Sequence, residues 1–473
     1  MLTRRSLPSS PRAVAALVLL ALTLPSPSLS VALANGRPPG TTGILVAPQS
    51  PTHKPERTLL LGATFGLAVS NDSGRHFRWI CEEAIGGPTG VDALLAAPSS
   101  DVLLTGSTMG LFISRDGGCD WQSVDLFAPP RQVSAIATDP HNPGRWYVAV
   151  NVPEQNRGLV YATYDNGKTY QKLSVDHDGV YLYGMAVSPQ APQKLAVVGS
   201  NNGAHDSCLL LTSSNGGSTW HKRAVAHAPD ASATPSVAIS PKNANVLLVT
   251  ALDITTNGSH ALISHDFGQS FRALGPLKEP VRNIAFAPDG QQAFIATTGH
   301  IFCATVKGGS LAELPSPKSN ACAAVDGNTL LACGSSANGQ DGFALAKSTD
   351  GGQTFAPIIG LSDIGGPEGC PAHSSSQTKC AALWPNQLAA IKASASFDAA
   401  SEFIASEQTP GAATPPMAAP PTPQPRKTSG CSCTIGGAGF GADGALFAAP
   451  ALAYMVRRAL RRRPTGHQSP KIL

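Results

Sequence analysis

An eight-residue phrase returns along this chain at nearly constant spacing, and that repetition restricts the fold more than any other feature. It reads SNDSGRHF from Ser70, SRDGGCDW from Ser114, TYDNGKTY from Thr163, SSNGGSTW from Ser213, SHDFGQSF from Ser264 and STDGGQTF from Ser348. The acidic positions are Asp72, Asp116, Asp165, Asn215, Asp266 and Asp350, separated by 44, 49, 50, 51 and 84 residues. The last gap is nearly double, and halfway across it TVKGGSLA from Thr305 keeps the hydroxyl and paired glycines with Lys307 in place of the acid. Counting that decayed copy gives seven repeats with a mean period of about 46 residues, the span of a four-stranded propeller blade.

Each copy sits in the same longer pattern. A strand ending in Pro or Asp (AIATDP, MAVSP, VAISP, IAFAP) is followed by an apolar run (RWYVAV, KLAVVG, VLLVTA, AFIAT). The strand leading into the phrase comes next (GLFIS, GLVYAT, LLLTS, HALIS), and a short strand such as WQSV or FRAL closes the unit. These runs are short, rich in Val, Ile, Leu and Ala, and bounded by Gly, Pro, Asn and Asp. Seven small sheets cannot bury both faces alone, so they must stack, and closing the stack removes exposed ends. The expected fold is all-β, a seven-bladed β-propeller of four-stranded blades over residues 35–365.

The pattern S/T-x-D-x-G-x-x-W/F resembles the Asp-box, or bacterial neuraminidase repeat, of sialidases, xyloglucan hydrolases, sortilin-type receptors and photosystem II assembly propellers. That resemblance implies a hairpin between the third and fourth strands of each blade, on the outer rim. The chemistry is consistent with it: the Asp or Asn side chain accepts N–H bonds across its own turn, Gly supplies a positive φ, and the aromatic ring covers the junction. Asp72, Asp116, Asp165, Asn215, Asp266 and Asp350 are therefore expected to be structural. Glycosidase carboxylates must stand roughly 5–10 Å apart, which acids spread around a rim cannot do. Asn215 and Lys307 would also spoil a repeated metal site, and no metal or other cofactor is expected.

A sialidase would need three converging arginines, a Tyr–Glu pair and an acid. Arg131, Arg145, Arg157, Arg223, Arg272 and Arg282 are present, but the family's Arg-Ile-Pro signature is not. Connections from the fourth strand of one blade to the first of the next should open on the channel, opposite the boxes. The richest is VDHDGVYLYG, with Asp176, His177, Asp178, Tyr181 and Tyr183. Two tyrosines beside two carboxylates suit a sugar or peptide ligand, and the same alternation equally packs Tyr181 and Tyr183 between blades. Arg131 and Arg282 occupy equivalent positions in their own blades, either at the same mouth or as plain surface charges. The expectation is a non-catalytic platform for a protein or glycan, with a secreted glycoside hydrolase as the alternative.

The flanks set the destination. Residues 1–34 carry Arg4, Arg5 and Arg12, an apolar run from Ala13 and a small-residue end at Ala34, as in an export signal. Setting those three cations aside, with the six after Val456, leaves 25 basic residues of the 34 against 30 acidic ones. A mildly acidic exported part argues against nucleic-acid binding. Ten cysteines fit an oxidising compartment, and Cys370 with Cys380, in the turn-rich 366–394 extension, is the expected local disulfide. Residues 395–430 form a Pro-rich spacer. Then come Cys431 and Cys433, a 23-residue span from Thr434 to Val456 whose one charge is Asp443, an Arg cluster to residue 463, and 464–473, a cytoplasmic end under the positive-inside rule. The combination resembles the myxobacterial C-terminal sorting tail. That implies surface anchorage, membrane contact through the tail, a sorting peptidase as partner, and Cys431 or Cys433 as the attachment point.

Overall fold

The computed structural model describes residues 38–48, 56–86, 94–201, 208–228, 232–319, 321–336 and 341–407, without the side chains of 174–178, 232–234 and 395–407. The expected leader, residues 408–430 of the expected spacer and the tail with Cys431 and Cys433 lie outside these, while residues 395–407, expected as the start of that spacer, continue a helix because their Ala-rich run precedes the first of the spacer's prolines. Seven sheets of four antiparallel strands follow one another, each a meander in chain order. Blade 1 spans 41–80, blade 2 94–123, blade 3 132–178, blade 4 180–224, blade 5 232–277, blade 6 281–313 and blade 7 322–359. First strands neighbour one another all the way round, including blade 7 against blade 1, so the ring is closed and they line the channel. This is the seven-bladed β-propeller that the spacing predicts, and blade 6 keeps its place although its hairpin carries Lys307.

The core lies between blades. Val160 and Leu173 of blade 3 meet Leu182 and Val197 of blade 4, and Leu210 of blade 4 meets Val249 and Leu262 of blade 5. Aliphatic runs buried on both faces explain why the middle strands read as continuous apolar stretches rather than alternating ones. The inner edge of a first strand has no sheet partner, so its outward peptide groups need another. Asn151 of blade 3 supplies one: its Nδ2 donates to the Leu182 carbonyl at 2.8 Å and its Oδ1 accepts from the Leu182 N–H at 2.9 Å. Asn283 of blade 6 repeats the device on Ala323 of blade 7, at 2.6 and 3.1 Å.

Ring closure uses no exchanged strand, because blade 1 comes wholly from one end of the chain and blade 7 from the other. The 7–1 joint is noncovalent, with Arg57 Nε 3.1 Å from Asp326 Oδ1 and the Thr41 hydroxyl donating to the Gly334 carbonyl at 3.2 Å. Past blade 7 the chain turns back onto the outer edge of blade 1. Gly365 forms a parallel bridge with Arg78, donating to Phe77 O at 2.8 Å and accepting from Trp79 N at 3.0 Å. A helix (Ala381–Glu407) follows, with Trp384 against Trp79 at 5.2 Å between rings and Ile391 buried in the same core.

Two disulfides hold this clasp, and they correct the expected pairing. Cys370 joins Cys119 in the box of blade 2, and Cys380 joins Cys81 at the end of blade 1. Ten residues of separation favoured a local bridge. The segment instead runs along the rim with each cysteine facing a different blade, and the sulfurs bond across the packing surface. A third bridge, Cys322–Cys333, ties two adjacent strands of blade 7.

Candidate functional site

Every clear box occupies a third-to-fourth-strand hairpin, and its leading hydroxyl and its Asp or Asn side chain are consumed in its own turn. In the box of blade 5 the Ser264 hydroxyl donates to Asp266 Oδ1 at 2.8 Å and accepts from Gly268 N at 2.8 Å. Asp266 then accepts from Ser270 N at 2.8 Å and from the Ser270 hydroxyl at 2.5 Å. Asp116 accepts from the Ser114 hydroxyl at 2.8 Å and from Cys119 and Asp120 N–H at 3.0 Å. Asn215 accepts likewise from the Ser213 hydroxyl and Thr219 N–H but, having no charge, donates through Nδ2 to the Thr219 hydroxyl.

Such bonds hold the carboxyls of Asp72, Asp165, Asp266 and Asp350 low. Thr169 brings Asp165 down to about 2, and Thr354 lowers Asp350 well below the usual range. Burial opposes ionisation of Asp72 and Asp266, but hydrogen bonds from His76 and Ser70, and from Ser270 and Ser264, outweigh it and leave both at about 2. The box glycines have a second task. At Gly217 and Gly268, φ is +87° and +83°, and a Cβ would stand 2.5 Å from Leu173 Cδ1 and 2.2 Å from Leu210 Cδ2 of the preceding blade. The boxes are thus sockets for the neighbouring blade as well as turns.

The channel has two unlike ends. Toward the boxes it is apolar, lined by Ile136, Met185, Val187, Ile239, Ile284 and Phe286 from the first strands of blades 3 to 6. At the other end, where the fourth strand of each blade hands over to the first strand of the next, the polar candidates gather. Gly179, at φ +76°, makes the turn between Gln171–Asp178 and Val180–Val187. Tyr181 and Tyr183 then enter on blade 4, half-buried, Tyr183 being the extra residue of a bulge between Leu182 and Gly184. Burial pushes the Tyr183 phenol up, against a hydrogen bond with Ser200 and with Tyr181 adding to it.

Arg282, in the first strand of blade 6, reaches past blade 7 to the Thr41 carbonyl, 3.4 Å from its Nη1. Arg131 lies just before the first strand of blade 3, and its buried Nε has no hydrogen-bond partner among the described residues. The backbones of Asp176 and Asp178 pair with Leu159 and Arg157, while their side chains lie outside the described residues. The candidates therefore share one end of the channel, arriving from blades 3, 4 and 6.

The sequence offered no signal for a second polar cluster, on blade 6. His300, in the hairpin between the second and third strands, has Nδ1 3.4 Å from Glu279 Oε1 and Nε2 3.6 Å from Glu313 Oε1. Burial works against the Glu279 charge, but the Thr297 hydroxyl and Gly299 N–H, both at 2.6 Å, together with His300 hold its carboxyl below the ordinary value. These residues follow no motif spacing in the sequence and meet through the meander of a single blade. Among the described residues no group of three His, Cys, Asp or Glu is arranged to hold a metal ion, and no helix is long and apolar enough to cross a membrane. Cys208 is a buried free thiol between blades 4 and 5, pushed up by burial.

The family model described as "Sortilin, neurotensin receptor 3" matches residues 158–349, less than half of the chain. Solved structures similar to it include the GH74 xyloglucanase from Xanthomonas campestris, at 18% identity over 63% of this chain and 62% of that one, with a TM-score of 0.33. An ancestral GH74 enzyme is 11% identical over 69% and 55%, at 0.43. YCF48 from Cyanidioschyzon merolae is 14% identical over 56% and 84%, at 0.37. The chain thus spans under two thirds of the length of those GH74 proteins. No curated protein matches it.

Proposed function

We propose that this is an exported, surface-anchored propeller that binds a protein or glycan without catalysis, at the channel end formed by the starts of the first strands. The observation that carries the reading is a contrast in side-chain use. Box acids are spent on their own turns, whereas the buried Nε of Arg131 is left without a partner among the described residues, just before the first strand of blade 3, which neighbours the strand that carries half-buried Tyr181 and Tyr183 on the next blade. A planar cation with a spare donor, with aromatic rings on the neighbouring strand, suits carboxylates, amides and sugar hydroxyls. The partial match to a receptor family adds support. Cys431 and Cys433 serve as the processing and attachment point, with a sorting peptidase and the membrane as partners of the tail.

Full-length protein on glycan and protein arrays should return a ligand whose binding falls at least tenfold in Tyr181→Ala and Arg131→Ala, with the fold retained. Sugar release from sialosides or β-glucans would overturn the reading in favour of the hydrolase. The cluster to mutate then is Glu279 and Glu313, two carboxylates that face one imidazole. For the tail, mass spectrometry of the surface form should find a C-terminus near Cys431 or Cys433, blocked when both are Ser. An intact Arg-rich end on that form would refute processing.

A further inference from the structure

The two clasp disulfides are chemically unequal. Cys81 and Cys380 are both 0% exposed, and their sulfurs lie in the core that holds Trp79, Trp384 and Ile391. Cys370 is partly open at the surface, next to exposed Glu368 and Gly369, while its partner Cys119 is 6% exposed. Beside this second bridge lies a guanidinium: Arg78 Nη1 is 2.8 Å from Cys370 Sγ and 3.7 Å from Cys119 Sγ, and Nη2 donates to the Gly117 carbonyl. Arg78 is held there because its own strand is bridged to Gly365.

A disulfide sulfur is a weak acceptor, whereas a thiolate is a strong one and gains most from an adjacent cation. Burial disfavours the Arg78 charge, and the charged group that offsets this is Asp116, whose oxygens already accept from Ser114, Cys119 N–H and Asp120 N–H. A thiolate formed at this site would meet a desolvated cation already pointing at it.

We propose that Cys119–Cys370 is a thiol-exchange site that takes an external dithiol, while Cys81–Cys380 stays closed as the permanent bond of the clasp. The attacking thiolate forms a bond to the accessible Cys370 Sγ and breaks the Cys119–Cys370 bond, whose electron pair leaves on Cys119 beside Arg78. The second thiol of the reagent loses its proton to solvent and attacks its own sulfur in the mixed disulfide. This expels Cys370 as a thiolate and closes an oxidised cyclic disulfide. Two electrons pass from the dithiol to the protein, and the two cysteines take up two protons as the conditions allow. What is released is the hold on blade 2, where Ser375 N–H donates to Asp120 at 2.7 Å and the Ser376 hydroxyl to Gly118 O at 2.9 Å. The helix stays tied to blade 1.

The test is a titration of native full-length protein with dithiothreitol, quenched with iodoacetamide and read by peptide mass mapping. Cys119 and Cys370 should be labelled at concentrations at least tenfold below those needed for Cys81 and Cys380. Labelling of both pairs together, or of Cys81 and Cys380 first, overturns the proposal. Arg78→Gln should slow opening of Cys119–Cys370 by roughly tenfold, since a less stabilised thiolate leaves more slowly, and an unchanged rate counts against it. Should that variant fail to fold, the selectively reduced native protein decides. An ordinary thiol is about fiftyfold less ionised at pH 6.5 than at pH 8.5, so alkylation of Cys119 that falls less than fivefold over this range supports the cation's role, and a fall above thirtyfold refutes it.

Discussion

Replacing Asn151 tests whether the inner strands are held by side-chain amides rather than by packing alone. Asn151→Ala leaves the N–H and C=O of Leu182 without their partners, in a place where both residues are buried. Each orphaned buried group costs about 1–3 kcal/mol, so the pair should cost about 2–6 kcal/mol. Asn151→Leu separates hydrogen bonding from volume, because it keeps the space filled while removing both bonds. It should lose nearly as much as Ala. Asn151→Asp keeps an acceptor for the Leu182 N–H but turns a second carboxylate oxygen toward the Leu182 carbonyl, and should be at least as damaging. Urea unfolding with disulfides intact, followed by tryptophan fluorescence, gives these differences from midpoints at constant slope. Asn283→Leu should show a similar loss at the joint of blades 6 and 7, and the double variant should be near-additive because the joints are far apart round the ring. An Asn151→Leu protein within 0.5 kcal/mol of the parent would refute the argument.

Three further outcomes follow from the geometry. Asp116→Ala should destabilise by about 1–3 kcal/mol and leave ligand binding in the folded fraction unchanged; lost binding at full stability would make the acid functional. Asp72, Asp165 and Asp266 sit at about 2 in the folded chain against the usual 3.8 of a free carboxyl, so the unfolded chain binds more protons between those values. Their stabilisation is complete above about pH 4 and is lost as the pH falls toward 2, and Asp72→Asn with Asp266→Asn should flatten that limb of a urea-midpoint profile; an unaltered limb would contradict it. With Cys119–Cys370 intact, Cys81–Cys380 closes only the residues 81–119 and 370–380, so Cys81→Ser with Cys380→Ser should cost about 4 kcal/mol for a loop of roughly 50 residues, and a change below 1 kcal/mol in denaturant titration would refute a mechanical role for the bond.

The blades were legible because each rests on local chemistry: a hydroxyl two residues before an acid, a glycine with positive φ, and an aromatic ring. Even the copy with Lys307 was findable, since the missing acid left the period intact. Closure was not legible. Cys370 and Cys380 are near each other in sequence, yet what they bond to depends on where the chain lies after seven blades have been laid round a ring. Tyr181, Tyr183, Arg131 and Arg282 could be assigned to one channel end from strand order. Their orientation could not, because bulges between Leu182 and Gly184 and between Val281 and Asn283 shift the alternation within the strand. Glu279, Glu313 and His300 meet across three connections and had no spacing to betray them.

The clasp also decides where a pull on the chain is felt. Tension applied beyond residue 407 enters through the terminal helix and reaches the covalent Cys380–Cys81 bond before it reaches the backbone leading back to blade 7. The load therefore falls on the first blade, with Cys370–Cys119 sharing it onto the second, and the last blade, whose described contacts with the first are noncovalent, is shielded from being peeled outward. The helix packs on the outer strand of blade 1, through Trp384 against Trp79 and with Ile391 in the same core, rather than on the first strands that line the channel. Stretched from residue 407 in a single-molecule experiment, the oxidised ring should withstand forces at which the fully reduced ring unravels from blade 7 inward.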